Sequence, residues 1–203
     1  MTEMNNGPET LKGEDWAGEM GAKWLANLAC FEGMIAPIGE ALLKQADFKP
    51  GELVLDIGCG EAPWRKPLLK LRPGLHYQGV DASEYVVRRY GRSRNIALAG
   101  FGQMQQLRIG PPADLLVCAD VLHYVPGTEL KRGLEGFPEL CSGVAYIDVF
   151  CREDAITGDF KGFIARGRAQ YRKLFDSIGL TALGSHCYLS PACDSPVSAL
   201  ERL

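Results

Sequence analysis

Apolar positions along this chain follow first a helical and then a strand rhythm. Trp16, Met20, Trp24, Leu25, Leu28 and Phe31 recur at intervals of three and four, which predicts one face of a helix. Pro37 ends that run and opens the next, whose faces carry Ile38, Ala41, Leu42 and Gln45. Lys49-Pro50-Gly51 then turns the chain into Leu53–Ile57, a short run rich in branched residues and typical of a strand buried on both faces. A helix over Trp64–Leu71 is closed by Arg72-Pro73-Gly74, and a second strand over Leu75–Val80 ends at Asp81. Glu84–Tyr90 predicts a helix with a basic end, Ile96–Ala99 a third strand, and the apolar Ala113–Cys118 a central fourth. Thr128–Cys141 predicts a helix that Gly133, Gly136 and Pro138 make short or kinked, followed by a fifth strand over Val144–Phe150. Ala169–Ile178 forms a helix stopped by Gly179, and Leu180–Leu189 and Val197–Leu203 predict two closing strands. Strands alternating with helices predict an α/β fold around a mostly parallel sheet.

Composition narrows the function classes. The 203 residues suit one domain, with 46% hydrophobic and 23% charged residues and a formal net charge of −3. No basic excess is present to neutralise a phosphate backbone, which argues against a dedicated nucleic-acid binder. No apolar run reaches the length of a membrane span. Met1–Glu14 is polar, lacks the order of a signal peptide, and reads as a flexible tail on a cytoplasmic protein. The seven cysteines include no C-x-x-C pair, so a disulfide framework or zinc site is not expected. His186 and Cys187 would point to opposite faces of a strand, which separates them as metal ligands with Cys193.

The stretch Leu53-Val54-Leu55-Asp56-Ile57-Gly58-Cys59-Gly60-Glu61-Ala62-Pro63 carries the most specific chemistry. Its two glycines permit positive φ and let a ligand approach the backbone. A dinucleotide fingerprint would need a third glycine at position 63, where Pro63 stands. A glycine turn without a ligand is the bland alternative. The order D-I-G-C-G after an apolar strand resembles motif I of the class I S-adenosylmethionine-dependent methyltransferases, with Ala62 where family members often carry another glycine. Asp81 lies about twenty residues after Gly60, where an acid can accept hydrogen bonds from both ribose hydroxyls. A helix-capping role is the alternative for Asp81, although Ser83 can fill it. Ala119-Asp120-Val121-Leu122-His123-Tyr124-Val125 also resembles the family's stretch after strand four.

The resemblance implies a Rossmann-like, seven-stranded, mostly parallel sheet with helices on both faces and an antiparallel last strand. It implies S-adenosylmethionine as cofactor, bound by Asp56, Gly58, Cys59 and Gly60 at the methionine end and by Asp81 with Ala82 at the ribose. Gln103 and Met104 would flank the adenine, with Gln103 standing where many members carry an acid. Cys118 and Ala119 would complete the cofactor wall, and Asp120 would face the site from the sheet's carboxyl edge. In that frame residues 15–203 form one methyltransferase domain. Leading helices over 15–48 lie above the site, 52–150 is the cofactor-binding core, and 151–203 supplies a substrate loop, a helix and the closing strands.

Methyl transfer from a sulfonium needs alignment more than a nucleophilic side chain. A hydroxyl or ammonium acceptor would use a general base, and His123 is the leading candidate, with packing or capping as its alternative. Trp24, Tyr124, Arg166 and Tyr171 are candidate substrate contacts, each equally readable as a packing or surface residue. A small-molecule substrate is expected, and a monomer or homodimer. The alternatives are a non-catalytic binder of the cofactor or its demethylated product, and a nicotinamide-dependent oxidoreductase, against which Pro63 argues.

Overall fold

The computed structural model describes residues 51–155 and 162–193. The expected polar tail, the leading helices with Trp24, and the strand over 197–203 lie outside the described residues, as do residues 156–161 of the expected substrate loop. The elements are β1 (Leu53–Ile57), α1 (Arg65–Leu71), β2 (His76–Asp81), α2 (Glu84–Arg94), β3 (Ile96–Leu98), β4 (Ala113–Ala119), α3 (Gly127–Leu134), α4 (Phe137–Leu140), β5 (Cys141–Asp148), α5 (Arg168–Ser177), β6 (Thr181–Gly184) and β7 (Cys187–Leu189). Single 3₁₀ turns lie at Phe101–Gln103 and Leu122–Tyr124.

The seven strands form one sheet in the order β3-β2-β1-β4-β5-β7-β6. The first five pair in parallel, while β7 runs antiparallel to both β5 and β6. The apolar runs of β1 and β4 are central because both sheet faces are covered. Leu55, Ile57, Leu116 and Cys118 pack on one side under Leu130, Leu134, Phe137 and Phe175 of α3, α4 and α5. Val54 and Val117 pack on the other, with Leu68 of α1 and Val86, Val87 and Tyr90 of α2. Strand order reverses between β1 and β4, so the crevice at their carboxyl ends is the topological switch point where ligands of open α/β sheets bind.

Local signals set most boundaries. The Ser83 side chain accepts from the Val86 N–H at 3.3 Å and caps α2, which ends at Asn95 in the left-handed region. The expected kinked helix is two helices, with Gly136 between them packed against the Met104 backbone, where a Cβ would come within 2.3 Å of the Met104 carbonyl.

The closing strands differ from the sequence expectation. Leu180–Leu189 is not one strand but the hairpin β6–β7, with Gly184 opposite Cys187. Its two-residue connection, Ser185 and His186, has φ of 50° and 63°, the left-handed pattern that matches strand twist in a tight hairpin. His186 is therefore a turn residue, paired at 3.6 Å with Asp148. Among the described residues no helix is long and apolar enough to cross a membrane.

Candidate functional site

The glycine turn is built by backbone geometry. Gly58 and Cys59 donate N–H bonds to the Val80 carbonyl at 2.8 and 3.1 Å, which ties the end of β1 to the end of β2. Gly58 has a φ of 67°, and a Cβ there would stand 2.4 Å from Val121 Cγ2, so glycine is required both by conformation and by space. Gly60 donates to Asp81 Oδ2 at 2.8 Å, and Ser83 N–H donates to Asp81 Oδ1 at 2.8 Å. These two bonds fix the Asp81 carboxylate at the strand's end while leaving each oxygen a further lone pair.

Around this turn opens a cavity of about 390 Å³, within the size range of small-molecule sites. It is lined by Ile57 and Gly58 from β1 and its turn, Asp81 and Ala82 after β2, and Ala99–Phe101 after β3. The opposite wall is Asp120, Val121, Tyr124, Val125 and Pro126 after β4, with Glu129 from the first turn of α3. Three carboxylates, Asp81, Asp120 and Glu129, face this space, and the described lining carries no lysine or arginine. Such a wall favours a ligand with positive charge. Asp120 holds an uncommon left-handed φ of 62°, with 67% of its side chain exposed and its N–H bonded to the Asp148 carbonyl.

Of the residues singled out from sequence, Gly58, Asp81, Ala82 and Tyr124 line the cavity together with Asp120. Cys59, Gly60 and Ala119 are not part of that lining. The Gln103 amide oxygen accepts from the Gly100 N–H at 2.7 Å and shapes the turn after β3, while Met104 and Cys118 are wholly buried in the core beneath it. Burial pushes the Cys118 thiol well up and the Cys59 thiol up to about 12, so both remain neutral packing groups. Asp56 is 2% exposed, on the opposite sheet face, and accepts from the Tyr77 hydroxyl at 2.5 Å.

His123 lies 1% exposed and off the cavity lining. Its ring packs among Tyr124, Phe150 and Phe163, with centroids 4.3, 5.4 and 5.5 Å away. Nδ1 accepts from the Phe150 N–H at 3.4 Å, and Nε2 lies 3.8 Å from Asp120 Oδ1. Burial lowers its pKa, against a smaller upward pull from Asp120 and Asp148, so the imidazole is neutral at pH 7. Nδ1 as acceptor leaves the proton on Nε2, toward Asp120.

Arg166 and Tyr171 also sit off the lining, at 8% and 2% exposure. Arg166 turns both terminal nitrogens onto backbone carbonyls, and Tyr171 packs in the core beside Phe175. Sequence reasoning missed Glu129, Ala99 and Phe101, while Val121 and Val125 fall in the stretch after β4 that it singled out without naming them as contacts. Glu129 had a usable signal, as the acid in the first turn of the helix that Pro126 introduces.

No family model and no curated protein sequence matches this chain. Solved structures do. The fold is similar to a SAM-dependent methyltransferase from Archaeoglobus fulgidus at 16% identity, over 75% of this chain and 74% of that one, with a TM-score of 0.52. It is similar to an O-methyltransferase family protein from Burkholderia thailandensis at 12% identity, over 81% and 59% of the two chains, with a TM-score of 0.54. A third likeness is to magnesium protoporphyrin IX methyltransferase from Synechocystis PCC 6803, which contains bound SAH, at 17% identity over 82% and 87%, with a TM-score of 0.50. The strand order 3-2-1-4-5-7-6 with β7 antiparallel is shared with this group, and the chain has the fold of the class I S-adenosylmethionine-dependent methyltransferases.

Proposed function

We propose that the chain binds S-adenosylmethionine in the cavity at the carboxyl end of β1 and β4 and transfers its methyl group to a small-molecule acceptor. The observation that carries this reading is the meeting of Gly58, the pinned carboxylate of Asp81 and the turn after β4 around one cavity. The residues fit such a ligand. Gly58 lines the cavity with backbone alone, and Asp81 retains acceptor capacity for ribose hydroxyls. Ala99, Phe101, Val121 and Val125 offer an apolar slot for a purine, with Gln103 shaping it through Gly100 and with Met104 and Cys118 backing it from the core. Cys59, Gly60 and Ala119 support the methionine end from behind, and Asp56 braces that turn from beneath without touching the ligand.

When bound, S-adenosylmethionine supplies a methyl group already activated on a cationic sulfonium. The chain's part is to align an acceptor and exclude water, and alignment of this kind is worth about 7–11 kcal/mol of a barrier. The carboxylates of Asp81, Asp120 and Glu129 favour the positively charged donor over its neutral demethylated product. For a hydroxyl or ammonium acceptor, Asp120 is the cavity-lining carboxylate not already bound by backbone N–H groups at β2 or carried on α3, and it would take the proton, with the neutral His123 beneath it. The small-molecule assignment is supported by an apolar and acidic lining without cations and by the net charge of −3.

Calorimetric titration of the full chain with S-adenosylmethionine and with S-adenosylhomocysteine, beside Asp81→Ala, tests the reading. Micromolar binding weakened about tenfold in the variant is expected, from the loss of charge-assisted hydrogen bonds. A folded wild type that binds neither ligand removes the methyltransferase reading.

A further inference from the structure

Residues 162–167 form an irregular strap across the 3₁₀ turn that follows β4. Ile164 donates its N–H to the His123 carbonyl at 2.8 Å. Arg166 donates from Nη1 to the Leu122 carbonyl at 3.0 Å and from Nη2 to the Val125 carbonyl at 2.5 Å. Three carbonyls of a four-residue turn are thus satisfied from one strap. Phe163 packs on the His123 ring and Gly162 faces Tyr124, while the Arg166 carbonyl accepts from the Arg152 N–H at 2.8 Å. The turn so held presents Val121, Tyr124 and Val125 to the cavity.

Placing a guanidinium at 8% exposure is costly in desolvation, and an apolar side chain of similar volume would avoid that cost. What an apolar residue cannot supply is a rigid planar fork that reaches two acceptors at once, and lysine's single ammonium cannot reproduce it either. Leu122 and Val125 also close the turn on themselves, since the Val125 N–H donates to the Leu122 carbonyl at 3.3 Å. Clamping both ends sets the pitch of the turn, and with it the position of the cavity wall.

Resting on the functional reading above, we propose that Arg166 is a positioning residue for the ligand: by bridging the Leu122 and Val125 carbonyls it fixes the wall that Val121, Tyr124 and Val125 offer to S-adenosylmethionine. The sequence suggested that Arg166 touches substrate. The geometry assigns it to the opposite side of that wall. Because the Ile164 N–H and the Arg166 guanidinium bond to the same turn whose wall would meet the ligand, ligand should slow amide exchange at Tyr124, Val125 and Ile164.

The test uses the full chain as wild type, Arg166→Lys, Arg166→Ala and Val54→Ala. Val54 is buried on the opposite sheet face, so its truncation lowers stability without touching the strap. Each is titrated with S-adenosylhomocysteine and S-adenosylmethionine, melted, and followed by amide exchange. Arg166→Lys is expected to bind about tenfold more weakly and to exchange faster at Tyr124 and Val125. Val54→Ala should stay within about twofold of wild-type affinity even at an equal loss of melting temperature. Millimolar methylguanidine should restore part of the affinity of Arg166→Ala, or, if that variant does not fold, Arg166→Lys alone decides. Arg166→Lys affinity within about twofold of wild type, or losses in Val54→Ala that match it, would overturn the proposal. If the folded wild type binds neither ligand, the functional reading falls instead. Unchanged exchange at Tyr124 and Val125 in Arg166→Lys would then overturn the clamp independently.

Discussion

Tyr77 donates its hydroxyl hydrogen to Asp56 across 2.5 Å, and this bond ties the acid that precedes the glycine turn to the neighbouring strand β2. Both side chains are buried, Tyr77 at 5% exposure. Burial pushes the Asp56 carboxyl from its ordinary 3.8 up to about 6, against the downward pull of the Tyr77 bond and with a smaller upward push from the charge of Asp81. The turn is therefore braced from beneath by a carboxyl that is reluctant to ionise.

That reluctance has a pH signature. A carboxyl whose folded pKa lies above its unfolded value stabilises the fold fully below about 3.8, and the contribution is lost as pH rises through about 6. The climb corresponds to roughly 3 kcal/mol by linkage. Asp56→Asn keeps an acceptor for Tyr77 and removes the titration. Urea denaturation at pH 4 and pH 7.5 should find the variant gaining on wild type by roughly that amount at the higher pH. An unchanged difference between the two would mean that Asp56 ionises normally.

Gly58 lies against Val121 with no room for a side chain between them. Alanine at 58 would have to keep a φ of 67° and place Cβ 2.4 Å from Val121 Cγ2. Strain and overpacking together should cost about 2–4 kcal/mol. Val121→Ala relieves the collision but not the backbone strain, so a double-mutant cycle by denaturant unfolding should show a coupling of about 1 kcal/mol. Strict additivity would place the whole cost in the backbone.

Sequence pattern exposed the parts of the fold that two-sided burial dictates. β1 and β4 read as continuous apolar runs because each is covered on both faces, and Asp81 was legible because the crossover fixes its distance from the turn. The hairpin after α5 was hidden. Ser185 and His186 take left-handed conformations without the Asn-Gly pair that announces such turns, and Leu180–Leu189 reads as one strand across them. His123 was legible as a residue near the site but not in its depth, which Phe150 and Phe163 set from later in the chain. Arg166 was the least legible. Its bonds reach back 44 and 41 residues to backbone carbonyls, which leave no mark on side-chain pattern.

The hidden turn is itself testable. Glycine at 186 removes the cost of a left-handed side chain, and the His186–Asp148 pair it gives up is largely exposed and worth little. His186→Gly should stabilise the protein by about 0.5–1 kcal/mol in denaturant unfolding. Destabilisation would argue that His186 makes more of its contact with Tyr146, whose ring centroid lies 6.1 Å away.

Under the proposed function Asp120 faces the ligand while His123 packs beneath it, and their variants should separate cleanly. His123→Phe keeps a ring among Tyr124, Phe150 and Phe163 but leaves the Phe150 N–H without its acceptor, a loss of about 1–3 kcal/mol. The wild-type imidazole, its pKa lowered by burial, contributes stability present above its ordinary 6.5 and lost as pH falls through the lower folded value. The variant should lose that acid sensitivity. Its affinity for S-adenosylmethionine should stay within about threefold of wild type, since His123 does not line the cavity. Asp120→Asn suits the left-handed backbone and an exposed position, so stability should change by less than about 0.5 kcal/mol. Its effect should fall on charge instead, cutting the preference for S-adenosylmethionine over S-adenosylhomocysteine by about threefold or more. Paired calorimetric titrations and unfolding curves from pH 5 to 8 read all of these. Loss of methyl transfer in His123→Phe with stability and cofactor affinity intact would return the proton-accepting role to the histidine and leave Asp120 as its orienting partner.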